Sequence, residues 1–460
     1  MQRVKLWMYG TCCLVLLLGL CLNLGDLQAQ EAPEADAPVE LTPKAGAELI
    51  PVDLAWARNS VNAVIFRHNA ITTHDGMQYL AYYNPDEKVV VAKRNLGETE
   101  WTQVVTDFTG NVRDAHNAIC IAVDGDGYLH MSWDHHGHPL RYVRSVAPGA
   151  MEFGEMEPMT GQREERVTYP EFYNLSDGGL LFFYRDGSSG RGDAVLNRYD
   201  LETRTWRQVH TNLIGGEDAR NAYWQVAVDE DDTVHLSWNW RVHGGVETNH
   251  DLCYARSEDG GETWTRSNGE VYELPITADT AEYATRIPQN HELINQTTMA
   301  TDSQGRPYIA TYWRPEGTEV PQLHMVFHDG TEWHVTQVGE RTEAFTLSGG
   351  GAKLIPISRP DLMVRSTPEG DTAYMLFRDE ERGGQVTVAI CDDLENPVWR
   401  FVDLTEESVY QWEPNFDKAV WREQGVLHAF TIRVGQGDGE TLTDLPPQML
   451  YVLEWDPEGH

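Results

Sequence analysis

The sequence predicts an all-β protein, a seven-bladed β-propeller with four-stranded antiparallel blades, and three observations lead there. A strand-like hydrophobic run that ends on a large residue and gives way to a polar loop recurs seven times, at 79–84, 128–136, 180–185, 234–241, 307–314, 372–378 and 426–433. Each is preceded by another apolar run, and these begin at His68, His116, Tyr169, Asn221, Asn295, Arg359 and Pro414, 48 to 74 residues apart. Units of that length cannot bury a hydrophobic face alone and must stack on neighbours. The composition agrees: 15 Trp, 19 Tyr, 40 Gly and 22 Pro, with short runs between turn formers and no long helical periodicity.

Each element of a unit has its own signal. Between the first and second runs lie hairpin turns such as Asp75-Gly76, Asp124 to Gly127, Asp177 to Gly179 and Asp229 to Asp232. A third run follows, as in Leu140 to Ser145 or Asp251 to Ser257, and then usually a Trp-containing fourth, near Trp101, Trp206, Trp264, Trp333 and Trp399. Residues Ser257 to Trp264 fit the Asp-box pattern SxDxGxTW, in which the Asp and Gly shape a turn and the Trp packs between sheets. That role is structural. The seventh unit ends after its third strand, Gln448 to Trp455, so Val52 to Arg58 is expected to supply the missing strand and close the ring.

Residues 1–29 read as an export signal: Arg3 and Lys5, an apolar stretch from Thr11 to Leu24, and a small residue at Ala29. The apolar stretch is shorter than the roughly 20 residues of a spanning helix. Residues 30–51, rich in Ala, Pro and Glu, read as a linker, which leaves 52–460 as one catalytic propeller domain of a secreted or periplasmic monomer. Three cysteines, Cys120, Cys253 and Cys391, remain after the signal, an odd number that argues against a disulfide framework. The balance of 35 basic and 72 acidic residues, a formal charge of −37, excludes nucleic acid and anionic membrane as partners.

In a four-stranded blade the entry to the first strand and the exit of the second lie at one end. His68, His116, Tyr169, Asn221, Asn295 and Arg359 should therefore share a face with His135, His136, Arg185, Arg241, Arg314, Arg378 and Arg433. Such a face is cationic on an anionic protein. Arginine forks suit carboxylate and sulfate, and Tyr184 and Trp240 beside Arg185 and Arg241 offer surface on which a sugar can stack. The bland alternative is that the arginines brace loops through carboxylates such as Asp186 and Asp379, and for Arg378 and Arg433 it is preferred. His116 and His136 suit acid and base work near neutral pH. His291, Asn295, Gln296 and Trp313 are placed along the same groove.

At Asp114-Ala115-His116-Asn117, His135-His136-Gly137, Thr168-Tyr169-Pro170 and Tyr184-Arg185-Asp186-Gly187 the chain resembles the propeller ulvan lyases, within the sialidase-like repeat family. The resemblance implies β-elimination at a uronic acid of an anionic, sulfated rhamnose polysaccharide. Arg185 would neutralise the carboxylate. His116 or Tyr169 would remove the proton at carbon 5 and the other would protonate the oxygen leaving carbon 4, with His136 binding substrate or sharing the work. No cofactor is implied for the chemistry. A structural calcium or zinc ion is compatible with the family, although His243, His250 and Cys253 match no standard zinc spacing. Three alternatives stand beside the lyase: a glycoside hydrolase using His68, a sialidase, for which Arg286-Ile287-Pro288 comes too late in the chain, and a carbohydrate-binding propeller without catalysis.

Overall fold

The computed structural model describes residues 39–67, 69–296, 298–368, 370–394 and 396–459. The expected signal segment and His68 lie outside them. The chain forms a seven-bladed β-propeller whose sheets are almost all antiparallel hairpins in chain order. Blade 1 is typical: Ile71–His74, Met77–Tyr83, Lys88–Asn95 and Thr102–Thr109 pair in sequence from axis to rim. Its first hairpin turns on Asp75 and Gly76, both at positive φ (47° and 73°), the twist that a two-residue connection requires. Met77–Tyr83 is covered on both faces because a blade lies on either side, so it reads as a continuous apolar run, whereas the rim strand Thr102–Thr109 alternates.

Blades 4, 5 and 6 repeat this plan, with innermost strands at Asn221–Val228, Thr298–Thr301 and Asp361–Thr367. Blades 2 and 4 share a further device. His130 lies between the Tyr142 hydroxyl (2.7 Å) and Asp124 (3.1 Å), and His235 between the Tyr254 hydroxyl (2.7 Å) and Asp229 (3.1 Å). All the polar atoms of these wholly buried imidazoles are thus satisfied, and they are cores of blades.

Blade 3 has a fifth strand. His136–His138, from the exit of blade 2, pairs with Val167 and Thr168 of the innermost strand Val167–Asn174. In blade 7, Leu427–Ile432 pairs with Gln448–Trp455, whose other edge takes Glu48–Ala55. That N-terminal strand begins four residues before the expected Val52. Residues 39–51 are also not a free linker throughout: Leu41 and Ala47 are buried, and the backbone N–H and hydroxyl of Thr42 donate to Glu407 at 2.7 and 3.0 Å.

The innermost strand expected from Pro414 is reduced to one bridge, Phe416 to Ala429, followed by the helix Lys418–Gln424. Asp417 explains the change. One carboxylate oxygen caps Ala419 N and Val420 N, while the other accepts from Thr73 Oγ1 (2.6 Å) and Gln78 Nε2 (2.9 Å) of blade 1. The Asp-box is built as expected. Asp259 accepts from Glu262 N (3.0 Å) and from Thr263 N (2.9 Å), and the wholly buried Trp264 donates to Gly261 O (2.9 Å). Cys120, Cys253 and Cys391 are buried.

Candidate active site

Strand register brings the expected residues to one end. Thr168 faces Arg185 across blade 3 and also His136, while Asn221 faces Arg241 across blade 4. In blade 3 the ladder slips between Thr168 and Glu171, and Tyr169 sits in the bulge at φ 55°. A bulky residue there carries about 1–3 kcal/mol of strain. Pro170 has no N–H to lose, so the bulge costs the sheet little at its axial edge.

The histidines form one unit. Asp114, at the turn opening blade 2, hydrogen-bonds His116 Nδ1 through Oδ1 (2.7 Å) and His136 Nδ1 through Oδ2 (2.6 Å). The two rings stack at 4.0 Å between centroids, and Phe66 stacks on His116 from the other side at 5.4 Å. Glu440 from blade 7 also reaches His116 Nδ1, at 3.1 Å. With both Nδ1 atoms committed, Nε2 is the nitrogen each ring has left for a ligand. Burial favours a neutral His116, but the carboxylates of Asp114 and Glu440 outweigh it and push its pKa up to about 9. His136 is shifted downward, by burial first and then by the positive charges of His116 and Arg185, against the pull of Asp114.

Beside them lie two tyrosines and two arginines. Tyr169 is 6.0 Å from His116 and 5.8 Å from Tyr223, centroid to centroid. The Arg185 guanidinium stands over both phenol rings, 4.9 Å from Tyr169 and 5.6 Å from Tyr223, and Arg241 stands 4.4 Å from Tyr223. The Tyr223 oxygen accepts from Arg241 (3.1 Å) and Arg185 (3.4 Å), with the Ser189 hydroxyl at 2.9 Å. Burial opposes ionisation of Tyr223, yet these guanidiniums prevail and bring its phenol down to about 7. Tyr169 goes the other way: burial and the neighbouring Tyr223 hold it up in spite of Arg185. The two guanidiniums thus depress Tyr223 and leave Tyr169 raised.

Neither Arg185 nor Arg241 has a carboxylate partner among the described residues. Arg185 is 2 % exposed and its Nε has no hydrogen bond there, while Arg241 is held by Asn249 (2.7 Å) and by the Asn295 side chain. The carboxylate next in sequence is engaged elsewhere: Asp186 pairs with Arg163 (2.9 Å) and Arg166 (3.2 Å). A side chain at Gly192 would meet Arg185 Cδ at 2.4 Å, so glycine gives the arginine its room.

Other expected residues are placed differently. Tyr184 and Trp240 are wholly buried between sheets, because neighbours along a strand point to opposite faces and Arg185 and Arg241 already take the site side. His135 is buried, accepts from Arg141 N (2.8 Å), and is held neutral, its pKa brought down by burial to about 3. Arg314 is spent on Glu292 (2.7 Å) and the Asn290 and Thr318 carbonyls, and Trp313 stacks on His324 at 3.6 Å. Gln296 is buried and donates to Glu171 (3.5 Å), and His291 Nδ1 donates to Arg314 O (2.8 Å). Arg378 braces the Ile355, Pro356 and Trp412 carbonyls, and Arg359 pairs with Glu413 (2.6 Å). Tyr223 and Glu440 were missed. Tyr223 stands two residues inside an apolar strand and looks like core, and Glu440 belongs to a loop without periodicity.

His243, His250 and Cys253 do not converge, and Cys253 is buried. Among the described residues Asp114, His116 and His136 form the one close group of three metal-binding types. There the Asp114 carboxylate already hydrogen-bonds both Nδ1 atoms. A cavity lined by Thr73, Asp229, Thr301 and Lys418 opens on the ends of the inner strands away from the site and contains none of its residues.

Seven sheets in a ring with this mouth define a repeat-built β-propeller. The model of the BNR repeat-containing family matches residues 77–341, and the chain belongs to that family. It is similar to the ulvan lyase of Alteromonas sp. (strain LOR), 24% identical over 321 residues covering 60% of this chain and 66% of that protein. It is also similar to the ulvan lyase of Nonlabens ulvanivorans, 20% identical over 367 residues covering 70% and 76%. The chain spans 66% of the Alteromonas protein and only 24% of a long-isoform ulvan lyase of Pseudoalteromonas sp. (strain PLSV), under two thirds of these relatives' lengths. Among solved structures, a PL25 ulvan lyase superposes with TM-score 0.62 at 18% identity, covering 88% of this chain and 96% of that one. The polysaccharide lyase Uly1 superposes with TM-score 0.61 at 17% identity, covering 84% and 89%. Both likenesses bear on the fold.

Proposed function

We propose that the protein is an exported polysaccharide lyase that cleaves an ulvan-like, uronate-containing polymer by β-elimination. The observation that carries this reading is the pair Arg185 and Arg241: two buried guanidiniums without a carboxylate, in a chain with 72 acidic residues against 35 basic ones. A ligand carboxylate is the partner they lack. Arg185, with its unpaired Nε, takes the uronate carboxylate and so lowers the cost of charge developing on it when carbon 5 loses its proton. The Tyr223 phenolate is the base and the His116 imidazolium the acid for the oxygen leaving carbon 4; a neutral His136 and the Tyr169 phenol orient the sugar. Opposite charges on acid and base at one pH support this division of labour. The relatives named ulvan lyases support the substrate class. Among the described residues no helix is long and apolar enough to cross a membrane, and the apolar segment within residues 1–29 supports export.

The test is incubation with ulvan while following the ultraviolet absorbance of the unsaturated uronate. Rising absorbance together with new chain ends is expected. New reducing ends without absorbance would make the protein a hydrolase, and binding without either would make it a carbohydrate-binding propeller.

A further inference from the structure

Asp114 serves two rings with one negative charge. Its two oxygens lie 2.7 Å from His116 Nδ1 and 2.6 Å from His136 Nδ1, so it does not by itself decide which imidazole carries the second proton. The asymmetry comes from blade 7. The turn Asp438–Glu440 has Gly439 and Glu440 at positive φ (61° and 66°) and is stapled to residues 349–354, the connection before blade 6. Gly439 N donates to Ala352 O (2.9 Å), and Leu354 N donates to Asp438 Oδ1 (3.0 Å). A Cβ on Gly351 would meet Gly439 Cα at 3.1 Å, so the two loops touch backbone to backbone. Glu440 projects from this staple and accepts from Ala352 N (2.6 Å) and Ala115 N (2.9 Å) while its Oε1 lies 3.1 Å from His116 Nδ1.

We propose that Glu440 is a positioning residue that assigns the proton: it adds a second carboxylate at His116 Nδ1, where His136 Nδ1 has Asp114 alone, and thereby makes His116 the acid and leaves His136 neutral. Of the other groups nearby, Arg185 acts in the same direction by disfavouring a proton on His136, but it adds nothing at His116 Nδ1. Phe66 is apolar, Tyr169 is a phenol, and the positive Arg185 stands over Tyr169. Glu440 is held by two backbone N–H groups, so its carboxylate stays in place when His116 gives up its proton. The inference rests on the lyase reading of this site.

The experiment compares full-length wild type, Glu440→Gln, Glu440→Asp and His116→Ala on ulvan across pH, with nitrogen-15 titration of the imidazoles in the unliganded proteins. In Glu440→Gln the alkaline limb of kcat should move down by about one pH unit or more, the shift that one opposing charge at this range produces. KM should hold and Glu440→Asp should restore part of the limb. In wild type His116 should keep its second proton at a pH where His136 has lost its own. An unmoved limb in Glu440→Gln, with His116→Ala inactive, overturns this inference alone. An active His116→Ala overturns the lyase reading of the site. Should Glu440→Gln not fold, the wild-type titration decides, and His136 holding its proton longer than His116 would overturn the proposal.

Discussion

At the scale of single residues, the decisive feature is two buried guanidiniums without a carboxylate partner among the described residues. Arg185→Ala should lower kcat/KM by about 10²–10³-fold, the usual loss when one preorganised donor to developing charge is removed, while circular dichroism stays native. Arg185→Lys should recover little, since an ammonium cannot donate the parallel pair of bonds a carboxylate accepts. Tyr223→Phe removes the phenolate and should reduce kcat by about 10²–10⁴-fold. The two proton states also set a pH window. Activity should rise as Tyr223 ionises near about 7 and fall as His116 deprotonates near about 9. His116 has a stability consequence of the same sign. Its pKa is raised in the folded protein, so its contribution is complete below the ordinary histidine value of about 6.5 and is lost as pH climbs through about 9. Thermal melts between those limits check this.

At the scale of elements, the ends of strands were more legible than their flanks. His116, His136, Tyr169 and Arg185 were readable because inner-strand entries and second-strand exits meet by topology, and the register of Thr168 against both Arg185 and His136 realises that rule. Tyr184 and Trp240 were misread because adjacency in sequence puts side chains on opposite faces of a strand. Tyr223 was invisible for the complementary reason, being an aromatic in an apolar run whose role depends on guanidiniums from blades 3 and 4. The bulge at Tyr169 and the helix after Asp417 follow from contacts to neighbouring blades, which no local pattern records. The Asp-box gives a test that separates element from site. Asp259→Ala removes the acceptor of several exposed backbone N–H groups and should lower Tm modestly, at about 0.5–1.5 kcal/mol for each net hydrogen bond lost, with turnover unchanged below the melt.

At the scale of the molecule, a charge of −37 would meet the anionic polymer proposed as substrate. Long-range repulsion would slow the encounter, whereas the proposed contact of Arg185 with a carboxylate would be short and buried. Salt at about 0.1 M, with a Debye length of about 10 Å, screens the first and spares the second. KM should therefore fall as ionic strength rises from a low value, the reverse of a protein that steers its substrate electrostatically. Steady-state kinetics across a salt series measures it. The first and last described strands pair in blade 7, and deleting residues through Ala55 removes the strand Glu48–Ala55 from Gln448–Trp455. Calorimetry of that truncation should show a lower Tm, and an unchanged melt would show that the ring does not depend on this strand.

The short strand His136–His138 leaves one sheet and hydrogen-bonds into the next. Its consequence concerns inheritance and engineering. A propeller invites single-sheet duplication, deletion and exchange, but here such a cut through the second and third sheets would part a histidine from the tyrosine and arginine of the same mouth. The smallest cassette that recombination can transplant with its acid–base geometry intact is a tandem, and even that graft needs the distant carboxylate contributed by the last repeat.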